Sequence, residues 1–296
     1  TRVESDADIA AMVAVRARTD PDLPPPRPEN LRHNLAANPD LTYLVVRLRA
    51  EPVACGFVEI SDTPYAHAHT VVVQEVRRQG VGSALLAEVS GRAAARGKTA
   101  LQGEAREDDV QSRGFLEHRG YRVVGGEQAV ALHLDAVDQK PVEAPPGVRI
   151  VTRADRPDLV EAMYEVSREA DEDIPGSDFI RSFQAFRAQD IDRPTRRPGL
   201  CFIGLAGDEV VGYALLDDFG ADAYHGLTAV KREWRRRGVA TALKRTQIKV
   251  AKELGFERLV TESEERNLPM RSLNLKLGYR PEPSLSTVVL RGPLLH

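Results

Sequence analysis

Apolar and polar residues alternate along two pairs of short segments, and a two-residue turn separates the members of each pair. The first pair is 41–49 and 53–60 around Ala50-Glu51, and the second is 200–206 and 210–216 around Gly207-Asp208. β-Branched and aromatic residues are frequent in these segments, and such alternation across a short turn is typical of a β-hairpin. The sequence therefore predicts one antiparallel hairpin in each half of the chain.

Helical spacing of apolar residues alternates with further β-branched runs on both sides of these hairpins. The predicted helices are 8–18, 84–96, 158–169 and 242–254, with short helices that stop at Gly120 and Gly278. The further predicted strands are 67–73, 99–104, 130–134, 224–230, 258–262 and 287–290. This order predicts the α+β class, with a mixed, mostly antiparallel sheet flanked by helices in each half. We expect the last strand of each half to close the sheet of that half.

The two halves follow one pattern. Residues 70–85, TVVVQEVRRQGVGSAL, return at 228–243 as TAVKREWRRRGVATAL, and nine of the sixteen positions are identical. The same offset pairs Gly120 with Gly278, so one fold is expected twice. The stretch 139–147 contains three prolines and a glycine without periodicity, which is typical of an extended linker. The predicted domains are 1–138 and 148–296.

Composition narrows the class of protein. A net charge of -3 offers no general case for binding nucleic acid, which usually needs a basic face. No apolar run approaches the roughly 20 residues that span a bilayer, and no leader pattern opens the chain, so we expect a cytoplasmic protein without a membrane partner. Cys55 and Cys201 lie in apolar runs, which indicates buried, reduced thiols. No metal is expected.

The candidate chemistry lies where a strand runs into a helix through a glycine turn. The turn residues are Arg77, Arg78, Gln79, Gly80, Val81, Gly82 and Ser83 in the first half, and Arg235, Arg236, Arg237, Gly238, Val239, Ala240 and Thr241 in the second. The first turn of a helix has unpaired backbone N–H groups and the positive end of the helix dipole. A glycine there leaves these donors open, and the arginines add positive charge. The turn is predicted to hold a pyrophosphate, although a merely tight, solvated turn is the structural alternative.

These residues resemble a known family. RRQGVGSALL and RRRGVATALK look like the acyl-CoA pyrophosphate motif Q/R-x-x-G-x-G/A of the GNAT acetyltransferase superfamily. The later run NLPMRSLNLKLGY, at 267–279, resembles a second helix of that family. The resemblance covers nearly the whole chain as two tandem GNAT-like domains, an arrangement of the kind found in mycothiol-synthase-like proteins of actinobacteria.

The resemblance implies a cofactor, acetyl-CoA or another acyl-CoA, and a way to hold it. The backbone amides of both glycine turns would bind the diphosphate, and main-chain groups of Val72 and Val230 would meet the pantetheine arm between two splayed strands. Asn267 would lie near the thiol end. The matching position in the first half is Asp109, followed by a mid-helix Gly114, which makes the second half the better candidate for catalysis.

Proton transfer is less well marked. Many family members place a tyrosine four residues before the helix-ending glycine as the acid, but this chain has Leu116 and Asn274 there. His225, matched by His67, has the side chain best suited to act as the base; a strand histidine that only bonds a neighbour is the alternative.

Two further side chains are candidates for proton transfer. Tyr224 precedes His225, and by strand alternation at most one of the two is expected to point at substrate. Glu262, matched by Glu104, ends a strand and is predicted either to relay a proton through water or to cap the next helix. The catalytic candidates are therefore His225, Glu262 and Tyr224.

The acidic run at 169–173 is the remaining indication of a substrate. Four carboxylates in five residues favour a cationic acceptor if they line the acceptor site, whereas a solvated charged loop is the common alternative.

Together, these features predict an acyl-CoA-dependent N-acyltransferase that acts on the amine of a small metabolite by direct attack. A protein acetyltransferase for lysine or N-terminal amines and a non-catalytic CoA sensor or scaffold remain as alternatives. The sequence leaves the oligomeric state open.

Overall fold

The computed structural model describes residues 1–21, 23–137, 142–173 and 181–295. Contacts divide these residues into two units, the first comprising Thr1–Gly126 together with the chain from Thr287, and the second Glu127–Ser286. Each unit has its own sheet with helices on both faces, as the sequence predicts. The proposed linker 139–147 falls partly outside the described residues.

The first unit contains one mixed sheet. Its strands are β1 (Leu41–Leu48), β2 (Glu51–Ile60), β3 (Tyr65–Val72), β4 (Ala100–Arg106) and, from the end of the chain, β12 (Thr287–Pro293). Its helices are α1 (Asp6–Thr19), α2 (Pro28–Ala37), α3 (Val81–Ala95) and α4 (Val110–Glu117). The strand order is β1-β2-β3-β4-β12, and all neighbours are antiparallel except β3 and β4.

The second unit repeats this plan. Its strands are β5 (Arg122–His133, of which the part from Glu127 belongs to this unit), β6 (Val148–Thr152), β7 (Cys201–Ala206), β8 (Glu209–Asp218), β9 (Asp222–Val230), β10 (Arg258–Glu264) and the short β11 (Arg280–Pro281). Its helices are α5 (Val160–Asp173), α6 (Phe183–Phe186), α7 (Val239–Glu253) and α8 (Leu268–Lys276). The order is β5-β10-β9-β8-β7-β6, and only β9 and β10 are parallel neighbours.

Both predicted hairpins are confirmed. The first turn lies at Arg49-Ala50, one residue earlier than predicted, and both residues adopt positive φ. The second turn lies at Gly207-Asp208 as predicted. Positive φ at both central residues matches the right-handed twist of the flanking strands, which explains the shift of the first turn.

The last strand of each half corrects the prediction. β5 was expected to close the first sheet, but it pairs with β10, with His133 opposite Arg258. β12 was expected to close the second sheet, but it pairs with β4, with Thr287 opposite Arg106. Alternation of apolar and polar residues predicts that a segment is a strand, but it does not predict which strand pairs with it. Because β4 and β10 are equivalent in the repeat, the sequence patterns do not distinguish their edges as partners for β5 and β12. For this reason the first stretch of unit 1 ends at Gly126. The predicted domain boundaries at 138 and 148 differ from it because they were placed by the sequence repeat and not by contacts.

Helices cover each sheet on two faces. In the first unit, α1 packs Ile9, Met12 and Val15 on one face, and α3 packs Leu85 and Val89 on the other. In the second unit, α5 and α7 take these two places. α3 follows β3 and α7 follows β9, and each of these strands is the first member of a parallel pair. The first turns of α3 and α7 therefore lie at the opening between the two parallel strands. No helix among the described residues is long and apolar enough to cross a membrane.

Candidate functional site

The glycine turns begin α3 and α7 in the same way. Gly80 and Gly238 are the N-cap residues, with φ of 87° and 90°, and no side chain caps either helix. The first intrahelical bonds run from Ala84 to Gly80 and from Ala242 to Gly238. The N–H groups of each first turn therefore lack both helical and side-chain partners, and the positive end of the helix dipole lies beside them.

Each turn carries a second left-handed residue two positions earlier. Arg78 and Arg236 have φ of 65° and 61°. A left-handed conformation costs a residue with a Cβ about 1–2 kcal/mol, so the surrounding structure must hold it in place. Left-handed residues near consecutive amides form a concave nest that binds anions. The strain occurs at matched positions in both units, and no sequence pattern predicts it.

An arginine holds each nest against the preceding strand. Arg77 Nε donates to the carbonyl oxygen of Val72 at 3.1 Å, and Arg235 Nε donates to that of Val230 at 2.9 Å. The two valine carbonyls that were predicted to meet pantetheine thus already accept a bond from the chain. Arg235 also forms an ion pair with Asp173 at 2.6 Å. These arginines therefore serve the geometry of the turn, and the side chains of Arg78 and Arg236 remain at the rim.

The parallel strands separate next to each nest, as the resemblance implied. β3 pairs with β4 only from Tyr65 to His67, and β9 pairs with β10 only from Asp222 to Tyr224. Beyond these residues a cavity opens in each unit. Its volume is about 890 Å³ in the first unit and about 1260 Å³ in the second. Both are large enough for an extended cofactor with an acceptor beside it.

Most of the predicted binding residues border these cavities. In the first unit they are Val72, Arg77, Arg78, Gly80, Gly82 and Ser83. In the second they are Val230, Arg235, Arg236, Gly238, Val239, Ala240, Thr241 and Asn267. Three predicted residues do not border a cavity. Gln79 donates to the carbonyl oxygen of Glu75 at 3.3 Å, Val81 is buried in the core, and the guanidinium of Arg237 lies 5.1 Å from the ring centre of Trp234.

Two predicted polar contacts are engaged within the chain. Ser83 Oγ accepts a hydrogen bond from Arg119 at 2.9 Å. Asn267 is the N-cap of α8, and its Oδ1 accepts from the N–H of Met270 at 3.4 Å. Asn267 thus stabilises the start of its own helix where it borders the cavity. Thr241 borders the second cavity from the first turn of α7.

The three catalytic candidates, His225, Glu262 and Tyr224, all border the second cavity. Tyr224 and His225 pair in regular register with Asp217 and Leu216, and β9 bulges only farther along, between His225 and Thr228. Neighbouring side chains of a regular strand leave opposite faces. The expectation that at most one of the two points at substrate therefore stays a prediction. In the first unit the histidine of β3 that borders the cavity is His69, whereas His67 packs edge-on against Tyr65.

His225 is tied to a residue far along the chain. Its Nε2 lies 2.6 Å from the hydroxyl of Tyr279, and its buried Nδ1 has no hydrogen-bond partner among the described residues. Burial, assisted by the nearby Lys244, lowers the pKa of His225 well below its usual value. Desolvation raises the pKa of Tyr224 to about 12. His225 is therefore neutral near pH 7, the protonation state a base needs, but its low pKa makes it a weak base.

The position of the missing tyrosine is now visible. Asn274 is 1% exposed and does not border the second cavity, and neither atom of its amide has a partner. Leu116 borders the first cavity. Neither residue supplies an acid, as the sequence indicated.

The acidic run is not the loop that was expected. Residues 169–173 form the end of α5, and arginines of the chain engage their carboxylates. Arg232 binds Glu169 through its N–H, and Glu172 and Asp173 through its guanidinium. Asp171 is buried against Arg181 at 3.0 Å. Because this charge is neutralised internally, the run gives no support to a cationic acceptor.

Sequence reasoning missed Lys244, in the second turn of α7. It is 1% exposed and borders the second cavity. No hydrogen bond or ion pair engages it among the described residues. Burial lowers its pKa to about 7. Its repeat-matched position holds Leu86, so a charged residue in a core register was the available signal.

The described residues contain no cluster of three or more His, Cys, Asp or Glu placed to hold a metal ion. The site consists of a nest, a cavity between splayed strands, and a few polar side chains.

Comparison with known proteins agrees with this geometry. The model of the acetyltransferase (GNAT) family matches residues 10–121 and 160–279. A tandem GNAT protein from the clavulanic acid biosynthesis pathway is 22% identical, with a TM-score of 0.80 over 100% of this chain and 98% of that one. A GCN5-related N-acetyltransferase from Sphaerobacter thermophilus is 19% identical, with a TM-score of 0.73 over 100% and 95%.

A putative acetyltransferase from Pyrococcus horikoshii is 16% identical, with a TM-score of 0.65 over 99% of this chain and 88% of that one. A search of the curated proteins finds no match. At these sequence identities the solved structures support the fold alone. The closer resemblance to mycothiol-synthase-like proteins stays a prediction. The family model, by contrast, covers most of both halves. The chain belongs to the GNAT family of acetyltransferases, with two tandem copies of the family fold.

Proposed function

We propose that the protein transfers the acetyl group of acetyl-CoA to the amine of a small metabolite, and that the second unit carries out this transfer. The observation that carries the proposal is the second cavity, which joins the nest at Gly238 to the gap between β9 and β10. An anionic head group at the nest would leave the extended arm of the cofactor pointing along the gap. The reactive end would then lie near the side chains of β9.

The residues present fit coenzyme A. Gly80 and Gly238 both face open space, because a Cβ at Gly80 has no neighbour within 4 Å and one at Gly238 meets only Pro145 Cγ at 3.5 Å. Backbone N–H groups of 78–82 and 236–240 would hold the diphosphate. When bound, acetyl-CoA supplies a thioester whose acyl carbon accepts the amine. We expect both units to bind it and the second to turn it over.

Direct attack is favoured over a covalent acyl-enzyme. Cys55 and Cys201 are at most 1% exposed, and neither borders a cavity. Burial raises the pKa of Cys55 to about 12 and that of Cys201 to about 11. A thiol must ionise to act as a nucleophile, so neither cysteine suits the transfer.

The remaining task is removal of a proton from the acceptor ammonium. His225 and Tyr224 border the cavity from β9, and Glu262 borders it from β10. We assign the base to His225, which is neutral near pH 7, and we expect Glu262 to relay the proton through water. Tyr279 would hold the imidazole in place through the 2.6 Å contact with Nε2.

The test is release of free CoA thiol from acetyl-CoA in the presence of a panel of small amines. Gly80→Val and Gly238→Val form a matched pair, because each alters the nest of one unit only. We expect Gly238→Val to lower turnover strongly and Gly80→Val to leave it nearly unchanged. If the wild type binds CoA but releases no thiol with any amine, a sensor or scaffold role replaces this proposal.

The acceptor class is settled by a second experiment. Labelled acetyl-CoA is supplied to a cell extract with the protein, and the products are separated by molecular size. Label in the small-molecule fraction agrees with the proposal. Label confined to proteins would instead identify a protein acetyltransferase.

A further inference from the structure

Lys244 is buried in the wall of the second cavity, where no described residue gives it a hydrogen bond or an ion pair. It is 1% exposed, and its Nζ lies 5.6 Å from the ring centre of Tyr279. Among the described residues, no hydrogen bond or ion pair reaches its amine. Lysine is almost never fully buried unless it is paired, and an unpaired buried charge is strongly unfavourable. The described residues thus leave the amine without the anionic partner that would offset the cost of its burial.

The groups packed around Lys244 do not supply that partner. From β9 it faces His225, which is neutral near pH 7 because burial and Lys244 lower its pKa. After α8 it faces Tyr279, whose pKa burial raises far above its usual value. On its own helix, Gln247 is an uncharged amide that donates to the carbonyl oxygen of Leu215, and Thr241 carries a neutral hydroxyl. Burial is the cause that lowers the pKa of Lys244 to about 7, and no carboxylate opposes it.

Several acidic groups that border the same cavity are already engaged. Asp171 pairs with Arg181, and Asp173 pairs with Arg235 and Arg232. Glu264 pairs with Arg266 at 2.5 Å. These carboxylates are held by arginines of the chain and are not available to the amine. Glu127 and Glu262 also border the cavity, and neither forms an ion pair with the amine. Since no carboxylate of the described residues pairs with Lys244, we take its anionic partner to arrive with the ligand.

The matched position in the first unit shows that packing at the position of Lys244 does not require a charged side chain. Leu86 matches Lys244 in the repeat, is 3% exposed and packs in the core cluster of α3 while bordering its own cavity. A leucine thus satisfies the packing of the helix at this place. The amine of Lys244 adds nothing that packing requires, and the difference between the two units is a difference in what each cavity can bind.

We propose that the second cavity takes a substrate with a carboxylate, and that Lys244 is the residue that binds this carboxylate. The inference rests on the proposed acyl transfer and specifies its substrate. A carboxylate can come from two sources. It can stand at the far end of the acyl group of a dicarboxylic acyl-CoA, or it can belong to an amine acceptor such as an amino acid.

The experiment has one arm for each source, in the wild type and in Lys244→Leu. The first arm compares the affinities of succinyl-CoA and butyryl-CoA, which have acyl chains of equal length with and without a carboxylate. The second arm compares amino acids with their amides as acceptors, with acetyl-CoA as donor. We expect at least about tenfold preference for the carboxylate in one arm, as for a charge-assisted hydrogen bond.

Lys244→Leu should abolish the preference and leave the affinity for butyryl-CoA nearly unchanged. The substitution reproduces the residue of the first unit, so the fold should tolerate it. A second measurement needs no variant. Binding of a carboxylate raises the pKa of the amine, so above pH 7 the wild type should take up about one proton per ligand. Calorimetry in buffers of different ionisation enthalpy measures this uptake.

The proposal is wrong if the wild type shows no preference for the carboxylate in either arm, or if Lys244→Leu keeps the preference. Absence of proton uptake with the preferred ligand would also overturn it. These failures leave binding of acetyl-CoA and transfer to uncharged amines intact. If acetyl-CoA does not bind to the wild type at all, the acyl-transfer proposal fails, and this inference fails with it.

Discussion

Gly238→Val tests whether the turn before α7 is an anion site. Gly238 has φ of 90°, a conformation in which a residue with a Cβ is strained by about 1–2 kcal/mol. The added Cβ would meet only Pro145 Cγ at 3.5 Å, an ordinary contact, so steric clash contributes little. The variant should therefore fold, with a free energy of unfolding lowered by about that amount.

The effect on binding follows from how the strain is relieved. If the residue at position 238 relaxes out of the left-handed region, the neighbouring peptide N–H turns away from the nest. Binding of the anion then requires the backbone to return to the strained conformation, and that strain is subtracted from the binding free energy. A strain of 1–2 kcal/mol then weakens binding by about 5- to 30-fold. Calorimetric titration with CoA should show one site weakened by this factor and the site of the first unit unchanged.

Gly255→Val is the matched control. Gly255 follows the other end of α7, has φ of 81°, and a Cβ there meets nothing within 4 Å. The two variants should lose similar amounts of unfolding free energy, and only Gly238→Val should lose CoA affinity. If both variants bind CoA as the wild type does, the reasoning about the nest is refuted.

Two other substitutions test the chemistry and the stability of the second unit. In the wild type, kcat/KM should fall at acidic pH as His225 becomes protonated and can no longer accept a proton, and this fall should lie well below pH 6.5 because the pKa of His225 is lowered. His225→Ala should remove this acidic fall from the pH profile. A fall that persists in the variant would exclude His225 as the base. Asp217→Asn should lower the free energy of unfolding by about 3–5 kcal/mol, because Arg196 is 3% exposed and would lose the carboxylate that its Nε binds at 3.1 Å, keeping only that of Asp190 at 3.7 Å. Asp218→Asn, whose arginine partner is half exposed, should cost less than about 1 kcal/mol in the same urea titration; equal costs would contradict the role of the buried pair.

Much of the site could be recognised along the chain because it depends on local geometry. A glycine with left-handed φ at a helix start leaves a local signature, and the repeat displays that signature twice, at Gly80 and Gly238. The hairpins and the helices α3 and α7 follow from periodicity for the same reason. The family was therefore accessible from residues that are close together in sequence.

Other features required residues that meet across long separations. His225 contacts Tyr279, 54 residues later, and Arg232 binds Asp173, 59 residues earlier. No spacing in the sequence connects such pairs. The pairing of the carboxylates at the end of α5 with arginines, and the contact of His225 with Tyr279, were therefore not predicted. The bulge in β9 between His225 and Thr228 likewise depends on how β8 pairs with it.

Local sequence patterns determined the repeated order of elements, the two glycine turns and the family, because backbone conformation depends on residues that are neighbours in sequence. The partners of β5 and β12 were not, since two equivalent sheet edges compete for each strand and only the folded chain selects one. The burial of Lys244 had one indirect signal in the sequence, the core residue Leu86 at the matched position of the repeat. A lysine in a helix reads as a surface residue until the surrounding strands exclude water from it, and its chemistry depends on that exclusion.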